Sequence, residues 1–388
     1  MLPGHRQRRR RRRAVAVLAG VLLAVGVGCS AERPEGSPDP SPAPSPTSPA
    51  TASPSAPDAT PEQPPRPLTI AVAGDVHFEG ALRGRLADPT TALAPATRAL
   101  AAADLAVVNL ETSLGNGGRP EPGKRYPFQA PVSALAALRE AGVDVATMAN
   151  NHALDFGREP LPGVFSAIRE ARAADPRLSV VGLGRNVREA FRPSRHVVDG
   201  TVVATLGATL ADTDPTADRT GHWAATVDSP GTADAMDPTR LLRSARAAAR
   251  SADVVLVYLH WGVQGEACPT EGQRTLATRL VRAGADIIVG SHAHRLQGDG
   301  RVGPGYVAYG LGNYAWYTPS EEATGVLTLT VRPAAAPAGR ARVADASWTP
   351  ARIGASGLPE EVTGPEAPDF QSRLAGLRAC AGFDRAGR

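Results

Sequence analysis

The sequence predicts an α/β protein in which buried strands alternate with helices and a second, mixed or antiparallel sheet packs on the first. Three observations predict it. From Leu68 onward, short and continuously apolar β-rich runs alternate with helical stretches. Segments 196–210, 306–316, 323–332 and 341–349 instead read as alternating or hairpin strands. The chain has 388 residues, 42% hydrophobic and 21% charged, so it can bury a sizeable core. Globally disordered, collagen-like and disulfide-stapled classes are excluded on the same grounds.

The buried strands are expected at LTIAVAG (68–74), DLAVVNL (104–110), VDVATMA (143–149), LSVVGL (178–183), DVVLVYL (253–259) and DIIVG (286–290). They are too continuously apolar for surface strands, as befits a sheet covered on both faces. Helices are expected over Pro131–Ala141, Pro160–Ala174, Pro238–Ser251 and Thr270–Ala283. The folded body is placed at residues 68–353, with 354–388 as a C-terminal extension. GLGRN at 182–186 lacks the third glycine and the acidic partner of a dinucleotide fingerprint.

Ahead of this body, residues 1–29 read as a signal peptide: seven arginines before residue 14, an apolar run Ala14–Gly28, then Cys29. As a helix that run would reach only about 22 Å, short of the roughly 30 Å hydrocarbon core, which favours a cleaved signal over a membrane span. Cys29 stands where a lipoprotein signal places its acylated thiol, although Gly26 replaces the usual leucine three residues before it. Residues 30–67 contain 13 prolines among 38 residues. Such a Pro/Ser-rich segment is expected to be a disordered, extended linker reaching on the order of 100 Å. The protein is therefore expected outside the cytoplasmic membrane, anchored through Cys29, or secreted if that thiol is not lipidated. Cys268 and Cys380 could pair in an oxidising compartment, but their proximity is not readable from sequence.

The formal charge of +4 belongs to the leader. Of 42 basic residues seven lie in residues 1–29, which hold no acid, leaving 35 against 38 acidic, a net of −3. A nucleic-acid footprint for the body loses its support.

Chemistry gathers beyond the carboxyl ends of strands in open α/β sheets. Strand one runs into Asp75 and His77, strand two into Glu111, strand three into Asn150, Asn151 and His152. Later strands end in His260, His292 and His294. Five of the chain's eight histidines thus terminate buried strands at one expected sheet edge. Imidazole and carboxylate ligands suit Zn, Mn, Fe or Ni rather than Ca, and seven candidates exceed what one ion needs. Two divalent ions sharing one carboxylate is the economical count.

These residues resemble a known family. GDVH, NLETSL, MANNHALDFG, GLGRN, LHWG, PTEGQR, GADIIVGSHAH and YGLGNY occur in the order seen in the capsule-synthesis CapA family, associated with poly-γ-glutamate, over residues 68–353. That family is similar to calcineurin-like metallophosphoesterases, which implies a four-layer αββα sandwich of two packed mixed sheets and a dinuclear metal site. The resemblance implies Asp75, His77 and His294 on one ion and Asn151, His260 and His292 on the other, with Glu111 between them. Glu111 stands where the wider superfamily has aspartate. His152 resembles the catalytic histidine, a group that can move protons near neutral pH.

Asp155 could orient His152 or cap a turn, and Asn313 could orient a ligand. Lys124 and Arg125 could contact an anionic substrate, although a solvated surface pair is the expectation. Trp261 is expected to pack, and Cys268 is not counted as a ligand.

The resemblance implies a role in synthesis, export or attachment of poly-γ-glutamate or a similar anionic polymer. Its partners would be that polymer or a phosphate-containing substrate, together with membrane-embedded capsule synthase subunits. Two further readings stay open: a secreted metallophosphoesterase acting on nucleotides or other phosphate esters, and a non-catalytic tethered subunit of a synthase complex. Electrostatics does not choose, since a positive site attracts phosphate and carboxylate alike.

Overall fold

A computed structural model describes residues 66–383 except 216, 217, 219, 319 and 335–338. The leader, Cys29 and nearly all of the Pro/Ser-rich linker lie outside the described residues. No described helix is long and apolar enough to cross a membrane.

Two sheets form the centre. The first has eight strands, ordered Pro359–Glu361, Arg342–Ile353, Ser320–Arg332, Leu68–Val76, Leu105–Leu110, Val145–Thr147 and Ser179–Val181, with Asn313–Ala315 pairing the end of Leu68–Val76. The last four strands of that order run parallel, while the three at the other side are antiparallel. The second sheet has six strands, ordered Asp299–Val302, Gly305–Ala308, Ile287–His292, Val254–Trp261, Thr201–Thr209 and Ser194–Val198. Its four middle strands are parallel and its two edge pairings antiparallel.

Side-chain alternation makes the layers. In Leu68–Val76, Ile70 and Val72 face a core shared with Leu256, Tyr258, Ile287 and Val289 of the other sheet. Ala71 and Ala73 point the opposite way, into a core with Leu135, Leu138 and Val164 from helices Ser133–Glu140 and Leu161–Ala173. On the far side, Val255 and Val257 meet Leu241, Ala245, Leu276 and Leu280 from helices Thr239–Ala249 and Glu271–Arg282. A period of two on each strand thus builds three apolar layers between four structural ones, an αββα sandwich. Thr270 and Gln273 close a capping box that starts the Glu271–Arg282 helix.

The continuously apolar runs prove to belong to two sheets rather than one. Runs starting near 68, 104, 143 and 178 lie in the first sheet, and those near 253 and 286 in the second. The long hairpin Ser320–Arg332 and Arg342–Ile353 completes the first sheet, not the second. Apolarity reports burial on both faces, which every strand in this sandwich experiences, so it does not say which sheet a strand joins.

Residues beyond 353 continue the same body. Helix Ala367–Cys380 sends Phe370 and Leu374 into the inter-sheet core. Cys380 at its end is disulfide-bonded to Cys268, their Cα atoms 5.6 Å apart.

Candidate metal centre

The carboxyl ends of both sheets meet at one place. Asp75 lies near the end of Leu68–Val76, His77 directly beyond it and Glu111 directly after Leu105–Leu110. His260 belongs to Val254–Trp261, and His292 ends Ile287–His292. The pairing of Leu68–Val76 with Leu105–Leu110 slips by one residue between Val72 and Asp75. That bulge re-aims Asp75. It needs glycine at 74, since a Cβ there would sit 1.8 Å from the Gly312 carbonyl oxygen. His292 and His294 have positive φ, 92° and 54°, a backbone region L-residues seldom enter. Such conformations persist where surrounding contacts impose them.

Two overlapping groups have ligand atoms within 4.8 Å of one another: Glu111, His260 and His292, and Asp75, Glu111 and His294. Glu111 is the residue they share. Asn151 joins the first group, its Oδ1 2.8 Å from His260 Nε2. His260 Nε2 is also 3.1 Å from His292 Nδ1 and 3.4 Å from Glu111 Oε1. His294 Nδ1 is 3.5 Å from Asp75 Oδ2 and 2.8 Å from Asn313 Oδ1. His77 stands beside these groups rather than within either. Its Nε2 accepts the Tyr317 N–H at 2.9 Å, and its Nδ1 is buried without a partner.

Neighbouring side chains orient the imidazoles. Asp214 Oδ2 lies 3.1 Å from His292 Nε2, so Nδ1 is left facing His260. His260 Nδ1 is 3.0 Å from Ser291 Oγ. Asn109 Nδ2 donates to Asp75 Oδ1 at 2.8 Å, and Asn150 in turn donates to Asn109.

The donor set fits divalent cations. Both carboxylate oxygens of Glu111 are buried and without hydrogen-bond partners, as is Asn151 Nδ2. Burial would normally raise Asp75, but His294 and the charge of His260 hold its carboxyl well below the usual range. Burial and the adjacent Asp75 push Glu111 the other way, well above it. His294 is raised to about 9 because Glu111 and Asp75 outweigh its burial. Burial lowers His260 to about 3 and His292 to about 4. Burial and mutual repulsion oppose charge on the two carboxylates, and cations bound between them would favour it. Neutral imidazoles are the ligating form.

Beside these groups, His152 Nδ1 lies 2.6 Å from Asp155 Oδ2 and its Nε2 3.8 Å from Glu111 Oε1. Asp155 also accepts the Phe128 N–H at 2.6 Å and pairs with Lys124 Nζ at 2.6 Å. Burial raises Asp155 to about 7 against the pull of Lys124. Burial and the Lys124 charge hold His152 well below its ordinary value. A cleft of about 590 Å³ opens over Asn151, His152 and His294, rimmed by Tyr126, Trp316 and Tyr317.

Lys124 corrects an expectation. It is the chain's single lysine, and its side chain is only 2% exposed. It contacts the Asn151 carbonyl and lies 4.7 Å from the Trp223 ring centroid. A buried carboxylate needs a counter-charge, and Asp155 supplies the reason this lysine is not on the surface. Arg125 remains exposed, paired with Asp218 at 2.9 Å. Trp261 is buried, its Nε1 donating to Tyr309 O at 2.8 Å. Sequence reasoning missed Asp214 and Phe128. Asp214 had a usable signal, an acid soon after the buried strand Thr201–Thr209. Phe128 had none, because its place depends on a loop that folds back between His77 and His152.

Fold and site define a four-layer αββα protein with a buried His/Asp/Glu cluster suited to divalent cations. Residues 69–317 match the family described as bacterial capsule synthesis protein PGA_cap, and the chain belongs to that family. It is 34% identical over 197 residues to the capsule biosynthesis protein CapA of Bacillus anthracis, covering 50% of this chain and 45% of that protein. It is 33% identical over 195 residues to the PGA biosynthesis protein CapA of Bacillus subtilis, covering 50% and 48%. A probable polyglutamine synthesis accessory protein of Mycobacterium tuberculosis is 29% identical over 238 residues, covering 57% and 59%. The matched region spans about half the length of these curated relatives. Among solved structures, a phosphatase from Mycoplasma pneumoniae aligns with TM-score 0.45 and 12% identity over 74% of this chain and 94% of that one. A putative 5'-nucleotidase from Staphylococcus aureus aligns with TM-score 0.43 and 15% identity over 80% and 58%. The fold assignment rests on the layers described above, not on these scores.

Proposed function

We propose that this protein is an exported CapA-type hydrolase acting in synthesis, export or attachment of poly-γ-glutamate or a similar anionic envelope polymer, through a dinuclear metal centre. The observation that carries it is Glu111: a buried, unpartnered carboxylate shared by two ligand groups drawn from both sheets. Asp75 and His294 would hold one cation, with His77 beside them through Nδ1, and Asn151, His260 and His292 the other. Bound there, two divalent cations (Mn, Zn or Fe) would supply Lewis acidity and, against Asp75 and Glu111, a net charge of about +2 that draws carboxylate or phosphate groups.

The chain's own residues do the rest. Asp155 fixes the His152 ring by accepting from Nδ1, which leaves Nε2 to take a proton from the attacking water and return it to the leaving group. Lys124 neutralises Asp155 and anchors the Asn151 backbone. Phe128, Trp316 and Tyr317 wall the cleft against bulk water. Cys29 would tether the domain to the outer face of the cell membrane.

The test is metal analysis of the purified chain joined to a screen of γ-glutamyl and phosphoester substrates with Mn or Zn. Two ions per chain, with γ-glutamyl hydrolysis lost in His152→Ala while the ions stay bound, is the expected result. A chain that takes up no transition metal ends this reading.

A further inference from the structure

The body of the protein is acidic overall, yet residues 158–196 carry eight arginines against four acids. Four of those arginines, Arg169, Arg172, Arg185 and Arg192, surround one cleft of about 280 Å³ away from the metal centre. The cleft lies where the free edges of both sheets come together. Ser179–Val181 ends one sheet's strand order, and Ser194–Val198 ends the other's. Phe165 and Ile168 of helix Leu161–Ala173, with Val180 and Leu183, give it an apolar floor.

All four arginines are exposed. Arg185 is spread over the Phe165 ring at 4.9 Å and pairs loosely with Glu189 at 3.3 Å, the one acid in the cleft wall. Arg169 reaches Ser166 Oγ at 2.8 Å. Arg172 and Arg192 also line the cleft and are exposed. Four like charges gathered on a net-negative body repel one another unless an anion lies between them. Guanidinium forks fit carboxylates in pairs of parallel hydrogen bonds. An apolar floor under the charges favours an anion whose charged groups are spaced by hydrocarbon.

We propose that this cleft is a second binding site, a holding groove for a linear polycarboxylate whose methylene segments lie on Phe165 and Ile168 while its carboxylates engage Arg172 and Arg192. The proposal rests on the capsule-polymer reading above for the ligand's identity, but not on any hydrolysis. The first sheet's next strand inward, Val145–Thr147, leads directly into Asn150, Asn151 and His152. The groove's edge strand Ser179–Val181 is thus paired directly with the strand that feeds this segment.

The experiment is equilibrium binding of fluorescently labelled poly-γ-glutamate to the full chain, read by anisotropy without turnover, so that it stands or falls whether or not the centre hydrolyses anything. Arg172→Glu/Arg192→Glu should weaken binding about tenfold or more, each lost charge-assisted contact adding to the effect. Arg172→Lys/Arg192→Lys should keep part of it, and affinity should fall as salt rises. Arg332→Glu/Arg342→Glu, an equal charge change on exposed, paired positions at the other side of the first sheet's strand order from Ser179–Val181, should leave affinity within about twofold. Equal losses in both reversal variants, or binding of linear polyphosphate in preference to poly-γ-glutamate, would overturn the proposal. Unchanged thermal stability of the two reversal variants shows that the fold is intact.

Discussion

Lys124 Nζ lies 2.6 Å from Asp155 Oδ1, with both side chains shut away from water. The only lysine of the chain thus serves as counter-ion to the carboxylate that orients His152. Removing one partner of a buried pair strands the other charge. Lys124→Met is expected to cost about 3 kcal/mol of stability, read by urea denaturation. Lys124→Met/Asp155→Asn should recover part of that loss. A single-variant cost below about 1 kcal/mol would mean the pair is screened like a surface one.

Asp214 Oδ2 lies 3.1 Å from His292 Nε2 in the candidate metal centre. Without its carboxylate the imidazole is free to turn and loses basicity at Nδ1. Asp214→Ala is expected to weaken Mn or Zn binding about tenfold to a hundredfold, and Asp214→Asn, which keeps an acceptor, by less. Competition titration with a chelator gives the comparison. Equal affinity in all three proteins would place Asp214 outside the centre's support.

Much of this was legible beforehand, and its limits have physical causes. Four helices were readable because amphipathic faces such as Leu241, Leu242, Ala245 and Ala248 mark a buried side, whereas the Ala367–Cys380 helix lay in the segment read only as a C-terminal extension. The histidines announced themselves by following apolar runs. Two things were not legible: that His260 and His292 come from a different sheet than Asp75 and Glu111, and that Lys124 is buried. Both are set by how distant layers pack, which periodicity along one strand does not record. The Cys268–Cys380 bond belongs to the same class, since 112 residues separate the two thiols.

That disulfide joins the end of helix Ala367–Cys380 to the loop that carries Gln264 and Gly265 into the cleft wall. Reduction should lower the stability of the folded chain by about 2–5 kcal/mol, visible as a drop in Tm. Cys268→Ser/Cys380→Ser should show the lower Tm with or without reductant. A Tm that does not respond to reductant in the native chain would indicate that the helix is held by packing alone.

His196 supplies a pH dependence separate from the metal centre. Burial, with Arg177 and Arg172 nearby, lowers it from 6.5 to about 4, and neither ring nitrogen has a partner. Between those values the unfolded chain binds the proton and the folded one does not, so stability falls as pH drops from about 6.5 towards 4. The loss should reach about 2–3 kcal/mol. His196→Leu should flatten this part of the stability–pH curve relative to the native chain. Parallel curves for the two proteins would refute it.

The Phe128 ring lies between two imidazoles, 4.8 Å from the His77 ring centroid and 4.2 Å from that of His152. One phenyl group is therefore a shared wall: it packs against His77 on one side and His152 on the other. Asp155 also accepts the Phe128 backbone N–H, so one carboxylate fixes both this loop and the His152 ring. A bulky guest that wedged it aside would wet both imidazoles in the same stroke, while a slender one threading past would leave both dry. The ring thus ties the wetting of His77 to that of His152.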